Sequence, residues 1–205
     1  KAPYEVLFTK WLSFEDMLRL KRIEEMVELY YNSNQFVHTL QFLEQAFEAP
    51  FTMYEALATF YEQEGYFVNS PARSYRYEVL LAFACEKDAA HEAVYRELLT
   101  YDLYLRENVK SRPGFSKDLQ LYKKEIRDFY RREEEMRAYL SGYRDYDSKQ
   151  LARMTHLEPF FYPVWEMPER CMVESVAEPM FVLFDYERRN PLTGDAWTVV
   201  VQTER

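Results

Sequence analysis

The stretch that decides the fold is residues 75–109, which read YRYEVLLAFACEKDAAHEAVYRELLTYDLYLRENV. Within it, residues 75–85 place apolar side chains on most sides of a helical wheel, which predicts a helix at the centre of a domain. Residues 89–109 repeat apolar positions at intervals of three and four, which predicts a longer amphipathic helix. Lys87 and Asp88 separate the two. The first expectation is therefore a helical core.

Three more helices are predicted before this stretch. Ser13 precedes an acidic first turn and an apolar repeat at helical spacing, so it is a candidate N-cap for a helix over residues 14–30. A second helix is predicted over 36–47. A third begins at Pro50, because proline is tolerated in the first turn of a helix, and Gly65 is placed as its left-handed terminator. The short links between these helices predict antiparallel neighbours.

One further helix is predicted over residues 116–142, with Ser116 as its N-cap. Its apolar positions form one face, and over residues 123–137 lysines and arginines alternate with acids on the other face. A basic helix can bind nucleic acid, but the interleaved acids here form pairs one turn apart. A solvated helix face is the favoured interpretation.

The sequence changes character after about residue 154. Beyond this point long helices are excluded by Pro159, Pro163, Pro168 and Pro179, and apolar residues gather in runs of strand length. The runs 181–186 and 197–201 flank a loop rich in turn residues, which predicts a hairpin. The runs 155–162 and 172–176 are candidates for a third and a fourth strand.

The predicted fold is mostly α, within the α+β class, with about six packed antiparallel helices followed by a small C-terminal antiparallel β hairpin or sheet. We expect a helical domain over residues 1–154 and a β-rich appendage over 155–205, packed together as one compact unit. Because the sequence begins at Lys1 without an initiator methionine, we also expect a piece cut from a larger protein.

Composition argues against several classes of protein. The 26 Lys and Arg against 35 Asp and Glu give a net charge of −9, which repels phosphate backbones and makes nucleic acid a poor partner. No apolar run approaches the roughly 20 residues that cross a bilayer, and no signal peptide is recognisable. The only cysteines, Cys85 and Cys171, are far apart in the sequence and predict no disulfide framework. A cytoplasmic protein is expected.

Aromatic residues make up 18% of the chain, roughly twice the usual share. The main interpretation is a core rich in tyrosine, whose hydroxyl groups reach the rim of the core. The alternative is an aromatic surface that binds a ligand or a partner.

Catalytic and metal-binding motifs are not recognised. His38, His91 and His156 lie in different predicted elements and lack the four-residue spacing of a helical zinc motif. Cys85 has apolar neighbours on its helix and is interpreted as a core residue, and Cys171 has no histidine near it in the sequence. Four glycines do not provide a glycine-rich phosphate loop. No catalytic residue and no metal ligand is therefore predicted.

The densest mixture of polar and aromatic residues lies near the end of the long helix. It forms a candidate ligand or interface patch of Tyr101, Asp102, Tyr104, Arg106, Asn108 and Arg112. Asp102 and Arg106 are one helical turn apart, and with Arg112 they can frame a small pocket for an anionic or aromatic ligand. The alternative is a buried ion pair that fixes helix packing.

Several strings of this sequence resemble a known domain. They are APYEVL at 2–7, WLS at 11–13 with RIEEMVE at 22–28 and YYNS at 30–33, and YDLYLREN at 101–108. They resemble the uncharacterised C-terminal domain that follows a cobalamin-binding module and a radical S-adenosylmethionine module in bacterial iron–sulfur proteins. Proteins of this order are often labelled magnesium-protoporphyrin IX monomethyl ester oxidative cyclase-like. The resemblance extends to residues 184–186.

The resemblance implies a parent enzyme that holds an iron–sulfur cluster on a Cys-x-x-x-Cys-x-x-Cys motif, cleaves S-adenosylmethionine and has cobalamin as a further cofactor. None of those cysteines occurs in this chain, so we expect it to bind no cofactor of its own. The first hypothesis is an accessory domain that packs on the upstream radical and cobalamin-binding modules and shapes the substrate opening. The alternatives are a helical interaction or dimerisation module, with a homodimer as one form, and a stand-alone enzyme that uses the Tyr, Asp and Arg patch.

Overall fold

A computed structural model of the chain describes residues 10–202. These residues form seven α-helices followed by a three-stranded antiparallel sheet, which confirms the predicted fold class. The helices are α1 (Phe14–Met26), α2 (Val37–Glu44), α3 (Pro50–Gln63), α4 (Arg76–Lys87), α5 (Glu92–Arg106), α6 (Lys123–Met136) and α7 (Ser148–Met154). The strands are β1 (Thr155–Phe160), β2 (Met180–Arg189) and β3 (Ala196–Val201). Among the described helices, none has the length and apolar character needed to cross a bilayer.

The helix α1 begins at the predicted cap. The Asp16 backbone N–H donates to Ser13 Oγ at 3.1 Å, and the Asp16 carboxylate accepts the Ser13 N–H at 3.1 Å, which is a capping box. After α1 the helix continues as a π-helical turn, Val27–Tyr31. π-helical turns are rare and frequently lie at functional sites.

The helix α5 lies at the centre of the domain. Eleven of its fifteen residues are buried, and it contacts α2, α4 and β3. It ends at Arg106 rather than at the predicted Val109, because Glu107 adopts extended backbone with φ −136° and ψ 132°. The last part of the predicted patch therefore lies on a loop.

The region predicted as one helix over 116–142 is shorter and differently capped. A 3₁₀ turn, Leu119–Tyr122, comes first, and Asp118 rather than Ser116 caps it. The helix α6 then ends where Arg137 takes a left-handed conformation with φ 53°. Its charged side is exposed as predicted, apart from Glu133, which is buried and accepts the backbone N–H groups that follow the helix.

The helix α7 was not predicted, although its N-terminal signal is in the sequence. The Asp147 carboxylate accepts the Gln150 N–H at 2.8 Å, and the Gln150 side chain accepts the Asp147 N–H at 2.8 Å. Only Leu151 is buried in this short helix, so its apolar repeat is too brief to read from the sequence.

The sheet has the order β1-β2-β3, and both pairings are antiparallel. The hairpin and the third strand were predicted, but residues 172–176 form no strand. That segment belongs to an irregular loop after β1, in which the Val176 N–H donates to the Phe161 carbonyl at 2.8 Å. Side chains hold the loop as well, because the Arg170 guanidinium makes two hydrogen bonds to the Asp88 carboxylate at 2.8 and 2.9 Å.

Two hydrophobic cores use opposite faces of the sheet. Val182 and Phe184 of β2 join the larger core, which is built mainly from the helices α1 to α5. Phe181 and Leu183, at the alternate positions, join the smaller core with α6 and α7. Most of the largest fully buried side chains are tyrosine or phenylalanine, which confirms the interpretation of the aromatic surplus as mainly core. The expectation that the tyrosine hydroxyl groups reach the rim is not met by Tyr30 and Tyr61, whose buried hydroxyl groups lie 2.5 Å apart.

Candidate functional site

The predicted patch lies on one side of the helical core. Tyr101, Asp102 and Tyr104 are buried in α5, Arg106 is its last residue, and Asn108 and Arg112 lie on the loop that follows. The structure does not gather all six residues around one pocket. It divides them among separate contacts, each joining α5 or its loop to another part of the chain.

Asp102 is 2% exposed and caps the N-terminus of α2 from a distance in sequence. One carboxylate oxygen accepts the His38 backbone N–H at 3.1 Å and lies 2.8 Å from His38 Nδ1. The other oxygen accepts the Thr39 N–H at 2.9 Å and the Thr39 hydroxyl at 2.7 Å. Since the first backbone N–H groups of a helix lack partners within the helix, a buried carboxylate here stabilises both α2 and its packing on α5.

The expected ion pair between Asp102 and Arg106 is not formed, because each residue has other partners. Arg106 instead donates to the backbone carbonyls of Asn34 and Thr193 and forms an ion pair with Asp195 at 3.1 Å. The two side chains contact different neighbours, and each neighbour comes from a segment distant in sequence. Arg106 therefore joins the end of α5 to the β2–β3 loop and to the loop before α2.

Arg112 and Tyr104 belong to a second cluster, which extends onto β1. The Arg112 guanidinium makes two hydrogen bonds to the carboxylate of Glu158, which is 1% exposed. Arg112 also donates to the Tyr104 hydroxyl at 3.3 Å. His156 stacks on the Tyr104 ring with centroids 3.7 Å apart, and its Nε2 lies 2.7 Å from the Glu158 carboxylate. Burial raises the pKa of Tyr104 to about 12.

The remaining patch residues also have internal partners. Asn108 donates to the Arg153 carbonyl at 3.0 Å, which joins the loop after α5 to the end of α7. The Tyr101 ring makes edge contacts with His38 at 4.8 Å and with Phe160 at 5.8 Å. The six patch residues thus connect α5 and the loop after it to α2, α7 and the sheet. We call these connections the bracing contacts.

A cleft of about 550 Å³ lies beside Arg112, between α4, the end of α5 and the following loop. It is lined by Tyr75, Tyr77 and Phe115 among others, and Arg73 at its edge pairs with Glu107 at 2.9 Å. Because Glu158 already engages the Arg112 guanidinium, this cleft presents no uncommitted arginine from the predicted patch. Of the six residues of the predicted patch, only Arg112 lines this cleft, and the ligand interpretation stays a prediction.

Several bracing residues were missed by the sequence analysis. Glu97, which is 3% exposed, accepts the backbone N–H groups of Phe161 at 2.8 Å and Tyr162 at 2.9 Å and pairs with Lys117. Burial raises the pKa of the Glu97 carboxyl. Glu158 was missed as well, although His156 and Glu158 stand two apart on a predicted strand and so share a face. The sequence holds no comparable signal for Glu97.

Each histidine contacts a buried carboxylate. The pairs are His38 with Asp102, His91 with Asp88, and His156 with Glu158. Among residues 10–202, no group of three or more His, Cys, Asp or Glu side chains is placed to hold a metal ion. Cys85 is half-buried against the larger core, as predicted, and burial raises the pKa of its thiol. Cys171 is exposed.

Comparisons with known proteins place the chain in a family but give no function. No curated protein and no solved structure matches it significantly. One family matches residues 1–184, which include the string at 2–7 that lies outside the described residues. This match covers most of the chain, and the chain belongs to the family described as Protein of unknown function (DUF4080).

Proposed function

We propose that this chain is an accessory domain that packs against a catalytic module and shapes the opening through which that module takes its substrate. The observation that carries the proposal is an apolar face at the start of α1. Phe14 is 56% exposed and Leu18, one turn later, is 38% exposed. Large apolar side chains grouped at the surface mark sites of association, because water exclusion stabilises their burial.

A further exposed apolar side chain lies on α3, the helix that neighbours α1. Arg19 pairs with Glu55, and Arg22 pairs with Glu62 at 2.6 Å, so α1 and α3 run parallel and side by side. Phe51 lies one turn before Glu55 and is 49% exposed. It therefore lies at the same end of the helix pair as Phe14. Both neighbouring helices therefore carry an exposed phenylalanine in their first turn.

The bracing contacts support an accessory role rather than catalysis by the patch. The carboxylate of Asp102 and the guanidinium of Arg112 are both occupied by partners within the chain. A general acid, a general base or an anion-binding group needs a face open to substrate. The geometry therefore favours stiffness in this region, which suits a domain that holds one side of a substrate opening in place.

The kind of module against which this face packs is inferred from the resemblance of the sequence to a known C-terminal domain. In the proteins that it resembles, a cobalamin-binding module and a radical S-adenosylmethionine module precede this domain. We infer that the apolar face of α1 packs on these modules in the same cytoplasmic protein. The iron–sulfur cluster, S-adenosylmethionine and cobalamin then belong to the partner modules.

The test uses the full-length protein that carries this domain, with Phe14→Glu and Leu18→Glu introduced together. We expect small-angle X-ray scattering to show a larger radius of gyration, because two buried carboxylates would separate the domain from its partner. The Michaelis constant for substrate should rise. The matched control is Leu192→Glu, since Leu192 is 93% exposed on the β2–β3 loop. Equal scattering from both variants would exclude this face as the docking surface.

A second copy of the chain is the alternative occupant of the same face. Sedimentation of the purified domain distinguishes the two. A monomer that does not self-associate supports packing on another module, whereas a dimer that Phe14→Glu dissociates supports the dimerisation hypothesis.

A further inference from the structure

The cleft beside Arg112 is concave, and most of its lining takes no part in the bracing contacts. Its volume of about 550 Å³ lies within the range of small-molecule sites. It lies between α4 with the residues before it, the last turn of α5, and the loop after α5. The apolar part of its lining is aromatic and aliphatic, and consists of Tyr75, Tyr77, Leu103, Val109, Pro113 and Phe115.

Contacts within the chain hold both walls of this cleft. Arg112 fixes the loop after α5, because its guanidinium bonds to the buried Glu158 carboxylate and to the Lys117 carbonyl. At the edge of the cleft, Arg73 pairs with Glu107 at 2.9 Å and so ties the segment before α4 to the end of α5. Since the walls are already held, little ordering of the chain opposes the binding of a ligand.

One buried polar group of the cleft lacks a partner. The Tyr77 side chain lines the cleft and is only 3% exposed, and its hydroxyl makes no hydrogen bond with any described residue. The Tyr77 ring is held by contacts with Phe36 and Phe115, at centroid distances of 4.6 and 6.1 Å. A buried hydroxyl without a partner is unfavourable, so a ligand that supplies the partner gains from this group.

The Tyr77 hydroxyl is a neutral phenol. Burial raises its pKa, and the charges of Asp102 and Glu107 raise it further. A protonated phenol can donate one hydrogen bond and accept another. The group therefore suits a ligand hydroxyl, which can do the same.

The charges that line the cleft balance one another. Two arginines, Arg73 and Arg112, and two glutamates, Glu78 and Glu107, are among its lining residues. Both arginines already pair with carboxylates. A charged ligand would lose hydration on entering the cleft and would meet no net opposite charge there. An uncharged ligand is therefore favoured.

The geometry points to a binding site in this cleft for a small uncharged aromatic compound that carries a hydroxyl group. The ring of the ligand packs against Tyr75 and Phe115, because aromatic rings in contact attract one another. The hydroxyl group of the ligand forms a hydrogen bond with the Tyr77 hydroxyl, which then has a partner. This inference is independent of the docking face on α1.

The test is titration of the whole chain with 2-naphthol, followed by backbone amide chemical shifts. We expect saturable shifts centred on residues 73–78 and 103–115. The anion 2-naphthoate and the cation 2-naphthylmethylammonium should bind about tenfold more weakly than 2-naphthol. Tyr77→Phe should weaken binding of 2-naphthol by roughly three- to tenfold. The same variant should leave binding of naphthalene, which has no hydroxyl group, unchanged.

The matched control is Tyr31→Phe, which removes a hydroxyl from a side chain that is 60% exposed and does not line the cleft. It should leave binding of 2-naphthol unchanged. Equal affinity of the native chain and Tyr77→Phe for 2-naphthol, or tighter binding of either charged analogue, overturns the assignment. The midpoint of urea denaturation should not fall in Tyr77→Phe. A lower midpoint would also overturn the assignment, because the hydroxyl would then be bonded within the chain.

Discussion

Replacement of Asp102 by alanine tests the one carboxylate of the predicted patch, which is buried and accepts hydrogen bonds from α2. The substitution leaves the backbone N–H groups of His38 and Thr39 and the Thr39 hydroxyl without their acceptor. Each unsatisfied buried donor costs roughly 1–3 kcal/mol, and removal of one member of a buried charged network typically costs about 3–5 kcal/mol in total. We therefore expect the free energy of unfolding to fall by about 3–5 kcal/mol.

In a chain of this length each kcal/mol lowers Tm by about 2–4 °C, so the expected loss is about 6–20 °C. The assay is chemical denaturation followed by circular dichroism, with a thermal scan as a second measurement. Asp118→Ala is the matched control, because Asp118 is an exposed cap with a hydrogen bond to the Gln120 N–H at 2.8 Å. Its loss should be about 1 kcal/mol. Asp102→Asn, which keeps one acceptor oxygen, should fall between the two.

A loss for Asp102→Ala no larger than that for Asp118→Ala would refute the reasoning. It would mean that the N-terminus of α2 does not depend on α5 for its hydrogen bonds, and that Asp102 is available for another role.

Three further predictions concern the other buried polar groups. Arg112→Ala should lower the free energy of unfolding by about 3 kcal/mol in denaturant titration, because it leaves Glu158 with one partner fewer; an unchanged midpoint would contradict this. Hydrogen bonds from Arg170 hold the pKa of the Asp88 carboxyl below its usual range. The stabilisation that this shift provides is present above the unfolded pKa of about 4 and is lost as pH falls below it. The difference in free energy of unfolding between the native chain and Arg170→Ala should therefore shrink in acid. A difference that stays constant with pH would refute this. Burial raises the pKa of Tyr104 to about 12, so the contribution of the neutral phenol to the free energy of unfolding is complete below pH ~10 and is lost as pH rises. The phenolate difference spectrum between the native chain and Tyr104→Phe measures this pKa. A midpoint near 10 would contradict the prediction.

Helix positions were predictable where local chemistry decides them. The Ser13 cap and Pro50 in the first turn mark the starts of α1 and α3, and the structure places both helices there. The boundary near residue 154 was predicted from prolines and apolar runs, and β1 begins at Thr155. These signals act over a few residues, so the sequence alone carries them.

The contacts of the candidate site depend on residues far apart in the chain. Asp102 bonds to residues 63 and 64 positions earlier, and Arg112 bonds to Glu158, 46 positions later. Composition identified the polar segment of α5, but no local pattern gives the identity of a distant partner. The same reason explains the loop after β1, where the apolar run 172–176 resembles a strand but contacts with Asp88 and the Phe161 carbonyl hold the segment instead.

The π-helical turn could not be predicted from the sequence either. Its residues, Val27–Tyr31, continue the apolar repeat of α1, and a wider turn has no distinct composition. The turn leaves Tyr30 in the core and Tyr31 at the surface beside Glu44.

The most direct test of the docking proposal is site-specific crosslinking in the full-length protein. A photoreactive phenylalanine analogue replaces Leu18 in one sample and Leu192 in another, and mass spectrometry identifies the peptides that become linked. The account predicts that position 18 crosslinks to the upstream radical or cobalamin-binding module and that position 192 does not. Crosslinks from position 18 only to a second copy of this domain, or equal crosslinking from both positions, would contradict it.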